Sequence, residues 1–346
     1  MGYLSKSGVA TANIWFPNSS IKLLEILQSN QDVKRVIFFA QWEHEFFSNL
    51  EFNQILDCAK QRNIPVDIVT GAAKYFVNLP RKDDYNLYHF PEVFMYRSAH
   101  QLALLGNDCS IKDIESLDYK FHFISLNRLA HQHRMEMMDM LALHDLVDSN
   151  AISWHNIRPY PYTYKFWTPK ELTLTDKFTT EWNTYTIPEE YYTSFAQLVI
   201  ESTTESIFIT EKTTLPLQAG KPFIAATCAG YHKCLEQMGF KLYTEIFNYD
   251  FDSEKNQTMR FSMIADNFRK LSVLPLSELQ GLAKTVKDKV LHNKKLIRNM
   301  VKDLAHYPKP IQDIIDIYEM TGEEVDQYTI SDYYSMKKIP YKYFCL

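Results

Sequence analysis

Short runs of β-branched and aromatic residues recur along this chain, and the intervals between them are long enough for one helix each. In the first hundred residues the runs are Ala12–Phe16, Val33–Ala40, Pro65–Thr70 and Val93–Tyr96. Between them lie Ile21–Gln28, with Ser19 or Ser20 as its cap, and Leu50–Arg62, where Leu50, Ile55, Leu56 and Ala59 keep helical spacing. A tight turn reverses a strand, whereas a helix-length crossover returns it in the same direction. The alternation therefore predicts an α/β chain with open, Rossmann-like parallel sheets.

A second series follows Gly106–Asp118, a polar, turn-rich stretch that reads as a linker. Its expected elements are a strand at Phe121–Leu126, a helix at Arg134–Leu146 and a strand at Ile152–Trp154. Residues 156–192, rich in Tyr, Thr and Pro, read as a long irregular insertion. The apolar run Ile207–Ile209 then reads as a strand ending in Thr210-Glu211-Lys212. A helical stretch closes at Gly220, and another strand begins at Pro222. Leu279, Leu282, Ala283, Val286, Val290, Ile297, Val301 and Leu304 recur at three- and four-residue steps, which predicts a long amphipathic helix from about Ser277 to Ala305. The expected organisation is an N-terminal Rossmann-like domain over 1–110, a second domain over 119–305 and a helical tail over 306–346.

Composition narrows the class. A chain of 346 residues exceeds one ordinary core, and 46% hydrophobic residues argue against global disorder. A net charge of −5 gives no bulk attraction to nucleic acid or anionic lipid. Five cysteines without Cys-x-x-Cys spacing suit a reducing compartment better than a disulfide framework or a zinc site. With no apolar stretch behind Met1 and no run of membrane-span length, the expectation is a cytoplasmic chain without a span.

Two segments carry chemistry. Thr210-Glu211-Lys212 is expected at a strand-to-helix junction, where open α/β sheets take ligands. A carboxylate there can accept a ribose diol, and the adjacent ammonium can neutralise phosphate. The other segment, Phe123-Ile124-Ser125-Leu126-Asn127-Arg128, continues through His131 and His133 to Arg134 at the start of a helix. A guanidinium at that place adds a charged fork to the free amides of the helix end. His131 and His133, a loop pair with no third ligand, read as polar surface.

These two segments resemble the donor site of the α1,3-fucosyltransferases, over roughly residues 120–240 and not in the N-terminal half. Glu201, Thr210, Glu211 and Lys212 fall at matching positions without a gap, while Ser202, Ser206 and Phe208 stand where the family has Asn, an acidic residue and Tyr. The resemblance implies a GT-B-like fold, two Rossmann-like domains facing a cleft. It also implies transfer of a sugar from a nucleotide-diphosphate donor, GDP-fucose-like, to a glycan or other hydroxyl acceptor. Glu211 would bind the ribose, and Lys212 and Arg134 the diphosphate, with Arg128 as a second candidate. Asn127, Glu201, Ser202 and Phe208 complete the implied donor site. The paired-glutamate spacing typical of retaining GT-B enzymes is absent, so inversion is expected.

An inverting transfer needs a base for the acceptor hydroxyl. Gln41-Trp42-Glu43-His44-Glu45-Phe46-Phe47, after the second apolar run, sets carboxylates beside aromatic surface, so Glu43 is the first candidate, Glu45 the next and Asp67 a fallback. No metal and no cofactor beyond the nucleotide-sugar are expected, because side-chain cations face the diphosphate. Asp250-Phe251-Asp252 matches a metal-binding Asp-x-Asp pattern but lies outside the donor-binding strands. Two alternatives remain. The basic face Lys284, Lys287, Lys294, Lys295, Arg298 and Lys302 could serve a DNA acceptor, and the departures at Ser202 and Phe208 would permit a non-catalytic glycan- or nucleotide-binding protein.

Overall fold

The computed structural model describes residues 2–4, 8–13, 19–40, 49–71, 81–89, 111, 113–157, 161–170, 172, 174 and 187–300. The expected strand at Val93–Tyr96, the loop with Glu43 and Glu45, and the tail beyond residue 300 lie outside them. The chain divides into two compact units, one of residues 1–107 with 208–210 and 300–346, the other of residues 108–207 and 211–299. Both are mixed α/β and built on sheets with parallel pairing.

The first unit holds five described strands in the order β1-β2-β3-β4-β5: Gly2–Leu4, Val9–Asn13, Arg35–Ala40, Val66–Thr70 and Asn86–His89. Only the β1–β2 pairing is antiparallel. Helix α1 (Ser19–Ser29) connects β2 to β3 and α2 (Asn49–Gln61) connects β3 to β4. Both crossovers step the same way along the sheet, so right-handed connections bring both helices to one face, and α1 and α2 pack together. Leu23 and Leu27 of α1, and Phe52, Ile55, Leu56 and Ala59 of α2, fill the core against Val36, Phe38, Val66 and Ile68. Phe38 and Phe52 meet edge to face at 5.4 Å. Asp67, the fallback base, lies one residue into β4, fully buried. It accepts from Arg35 Nε at 2.5 Å and Asn86 Nδ2 at 2.9 Å. It ties three strands together near the amino end of β4 and is spoken for.

The second unit holds four described strands, all parallel, in the order β7-β6-β8-β9: β6 Phe121–Leu129, β7 Ala151–Ile157, β8 Ser194–Ile200 and β9 Phe223–Ala226. Its helices are α3 (Gln132–Leu143), α4 (Glu189–Thr193), α5 (Glu211–Ala219), α6 (Tyr231–Gln237), α7 (Gln257–Ser272) and α8 (Leu279–Met300). One expectation fails. Ile207–Ile209 is not a strand; the strand is Ser194–Ile200, every residue of which is buried. A strand covered on both faces reads as a continuous buried run without alternation, and this one begins at the edge of the Tyr- and Thr-rich stretch. The three apolar residues at 207–209 belong instead to the connection into α5.

Helix α5 ends where expected. Gly220 takes a left-handed φ of 82°, and its amide and that of Lys221 both return to the Pro216 carbonyl. A Cβ at residue 220 would stand 2.6 Å from Lys294 Cδ, so the missing side chain also lets α8 approach. Leu279, Ala283, Val286, Val290 and Ile297 form the buried stripe of α8. Its basic face is partly consumed: Lys287 pairs with Glu115 at 2.9 Å and Lys294 Nζ donates to the Ile111 carbonyl at 3.1 Å. That leaves less charge for a DNA acceptor, and Lys302 lies outside the described residues. In the insertion after β7, the buried Asp139 carboxylate of α3 accepts the amides of Lys165, Phe166 and Trp167 at 2.7–3.1 Å.

Candidate functional site

In the second sheet the chain leaves β6 for β7 on one side, then returns across β6 to reach β8 on the other. The connections leaving β6 and β8 therefore run to opposite sides of the sheet, the order reversal at which open α/β sheets take ligands beyond the carboxyl ends of their strands. Helix α3 starts directly after β6, and α5 starts after the segment 201–210. Both helices carry the positive ends of their dipoles in their first turns. Every sequence-predicted donor residue with a described side chain lies on these strand ends, on that segment or in these first turns.

On the β6 side, Asn127 is buried beside a break in the β6–β7 register. Its amide donates to Ser153 Oγ at 2.9 Å and its Nδ2 to Ser125 Oγ at 3.0 Å. Its buried Oδ1 meets no donor among the described residues. Arg128 belongs to the same strand, but its side chain is outside the described set. Arg134 sits in the first turn of α3, only 4% exposed, and its Nη1 donates to the Leu129 carbonyl at 3.2 Å. Arg134 is thus a cation braced against the end of β6.

His133 joins the two sides. Its Nε2–H donates to the Glu201 carbonyl at 2.8 Å. Burial, reinforced by the positive charge of Arg134, holds its pKa down to about 3, so the ring is neutral at any ordinary pH. It stacks on His131 with planes 5° apart and centroids at 5.8 Å.

Glu201, the residue after β8, is fully buried and does not line a solvated rim. Its Oε1 accepts from Thr213 Oγ1 at 2.6 Å and Tyr231 OH at 3.0 Å, and its Oε2 accepts the Ser202 amide at 3.2 Å. Burial, with the nearby Glu201 charge, pushes the Tyr231 phenol well above its usual range, which keeps it a donor. Glu201 therefore gathers the start of α5, the start of α6 and its own loop. Neither Thr213 nor Tyr231 was a sequence candidate; a hydroxyl 12 or 30 residues away carries no local signal.

The exposed end of this network is Ser202, Lys212 and Glu211. Lys212 Nζ lies 3.1 Å from Ser202 Oγ and 2.6 Å from Glu211 Oε1. The side chains of Lys212 and Glu211 are 24% and 37% exposed, so solvent reaches both. Burial alone would raise the Glu211 pKa, but Lys212 and, more weakly, Arg134 outweigh it and hold the carboxyl below its usual value. Phe208 is buried. Glu43 and Glu45 lie outside the described residues.

The Asp-x-Asp triplet is committed elsewhere in the unit. Asp252 accepts the amides of His232 and Lys233 at 2.9 and 3.0 Å, capping α6, and receives His232 Nδ1–H at 2.9 Å. Asp250 accepts Asn248 Nδ2 at 2.8 Å. Among the described residues no group of three His, Cys, Asp or Glu could hold a metal ion. None of the described helices is long and apolar enough to cross a membrane.

No family model matches the chain, and no curated protein does. A solved structure, the crystal structure of an α1,3-fucosyltransferase, superposes over 84% of this chain and 91% of its own, with 11% sequence identity and a TM-score of 0.31. At that TM-score the likeness carries no weight for activity, and the chemistry of the residues has to.

Proposed function

We propose that the chain is a glycosyltransferase that moves a sugar from a nucleotide-diphosphate donor to an acceptor hydroxyl, with inversion and without a metal. The observation that supports this most is the convergence of Arg134, Lys212 and Glu211 at the strand-order reversal of one sheet. Two cations at two helix starts suit a diphosphate, whose charge grows as it leaves the sugar. A partly exposed carboxylate beside them suits a ribose diol. The donor is GDP-fucose-like in this reading, and the arrangement is GT-B, with the first unit presenting acceptor and base through Glu43 or Glu45.

Thermal-shift measurements with GDP-, UDP-, ADP- and CMP-sugars test the donor site, because a ligand that binds only the folded chain stabilises it more the further its concentration exceeds Kd. Lys212→Ala and Arg134→Ala are expected to weaken the preferred donor by about 1.5–3 kcal/mol each, the worth of a charged hydrogen bond. Arg134→Lys, which keeps the charge, is the control for the buried position. No stabilisation by any donor, or wild-type affinity in both alanine variants, would remove the assignment. Donor turnover in EDTA separates an enzyme from a binding protein.

A further inference from the structure

Glu211 and Lys212 are successive residues of a helix, and successive side chains normally diverge around the axis. Here they converge to 2.6 Å, with Ser202 Oγ holding the ammonium from the other side at 3.1 Å. Ser202 is itself fixed through its amide to buried Glu201, which Thr213 and Tyr231 hold. The ammonium is thus delivered to a definite place, and an anion of the protein's own stands beside it. Both partners remain accessible, so an incoming ligand can exchange them.

We propose that Glu211 is a specificity-determining residue that rejects bare phosphates and admits nucleoside diphosphates. The inference rests on the donor-site reading above. A pyrophosphate that reaches Lys212 displaces Glu211 and leaves a carboxylate facing a second anion, with nothing in return. A nucleoside diphosphate brings a vicinal diol, whose two hydroxyls can donate to the carboxylate as the ammonium turns to the phosphates. The exchange keeps every charge satisfied for one ligand and not for the other, which is discrimination by an added repulsion. Glu211 is ionised for this task, since Lys212 and Arg134 hold its carboxyl below the usual range.

Isothermal titration of the full chain with inorganic pyrophosphate and with GDP, UDP and ADP tests this in wild type, Glu211→Gln and Glu211→Ala. Both variants are expected to bind pyrophosphate about tenfold more tightly than wild type, a modest size for a close charge pair, while the preferred nucleoside diphosphate gains nothing. The preference for the nucleotide then collapses. Unchanged or weaker pyrophosphate binding in both variants, with wild type still binding a nucleoside diphosphate, overturns the inference and leaves the donor site standing. An equal gain for both ligands overturns the diol exchange. If no protein binds any of the ligands, the donor-site reading falls and the inference with it.

Discussion

Both sheets pair most of their strands in parallel, yet only one reverses its strand order among the described strands. In the first unit β2 to β5 advance in one direction, and α1 and α2 pack together. In the second, the return across β6 sends the connections leaving β6 and β8 to opposite sides. The buried carboxylates follow the same division. Asp67 lies near the amino end of β4 and binds its neighbouring strands, whereas Glu201 follows the carboxyl end of β8 and gathers two helix starts. Burial of an acid thus says little about function until its end of the sheet is known.

The largest expected effect falls on the unit without the reversal. Glu43→Gln should lower kcat by about 10²–10⁴-fold, the usual loss for a positioned base, with donor Kd unchanged and Glu45→Gln milder. Wild-type turnover in both variants would confine the chemistry to the second unit.

A smaller effect contrasts the two buried acids directly. Asp67→Asn and Glu201→Gln should each cost about 1–3 kcal/mol in urea unfolding, because each leaves buried donors without their charged acceptor. Only Glu201→Gln should also weaken the nucleotide-sugar, since Ser202 and Lys212 depend on it. Equal loss of donor affinity in both would erase the contrast.

The smallest effect is a slope. Lys221 is buried at the amino end of β9, its Nζ donating to the Ser194 carbonyl and lying 4.9 Å from the Tyr191 ring centre. Burial brings its pKa down to about 7 from 10.5. Between those values the unfolded chain holds a proton that the folded chain lacks, so folding stability rises with pH there, by at most about 1.4 kcal/mol per unit. Below pH 7 lysine is charged in both states, and the term is flat. Lys221→Met should remove this rise, measured as the difference in unfolding free energy between variant and wild type from pH 7 to 9. An identical slope would mean that the amine is hydrated in the fold.

Much of this was legible in the sequence. Helices α1, α2 and the body of α8 announced themselves by their apolar residues, and Gly220 marked the end of α5 because only glycine accepts that φ cheaply. The places of Lys212, Glu211 and Arg134 at helix starts were readable because helix starts are local features. Strand β8 was not, since its buried run lacks the alternation that marks a half-exposed strand. Nor was the order reversal, which depends on where crossovers land and not on what any segment contains. The Glu201 network joins residues from three separated elements, so no window of sequence displays it.

The grip of Asp139 on Lys165, Phe166 and Trp167 changes what the insertion costs the chain. Closing a flexible loop carries an entropy that grows with the logarithm of its length, about 0.6 kcal/mol for each doubling. A carboxylate that holds three successive amides pins the stretch between β7 and α4 partway along. The chain between β7 and α4 is thereby closed in two shorter spans in place of one long one. By the same logarithm, a change of a few residues in either span alters its closure entropy by only tenths of a kcal/mol, about 0.2 for a span lengthened by a fifth. Such a pinned excursion is a natural place to graft new sequence.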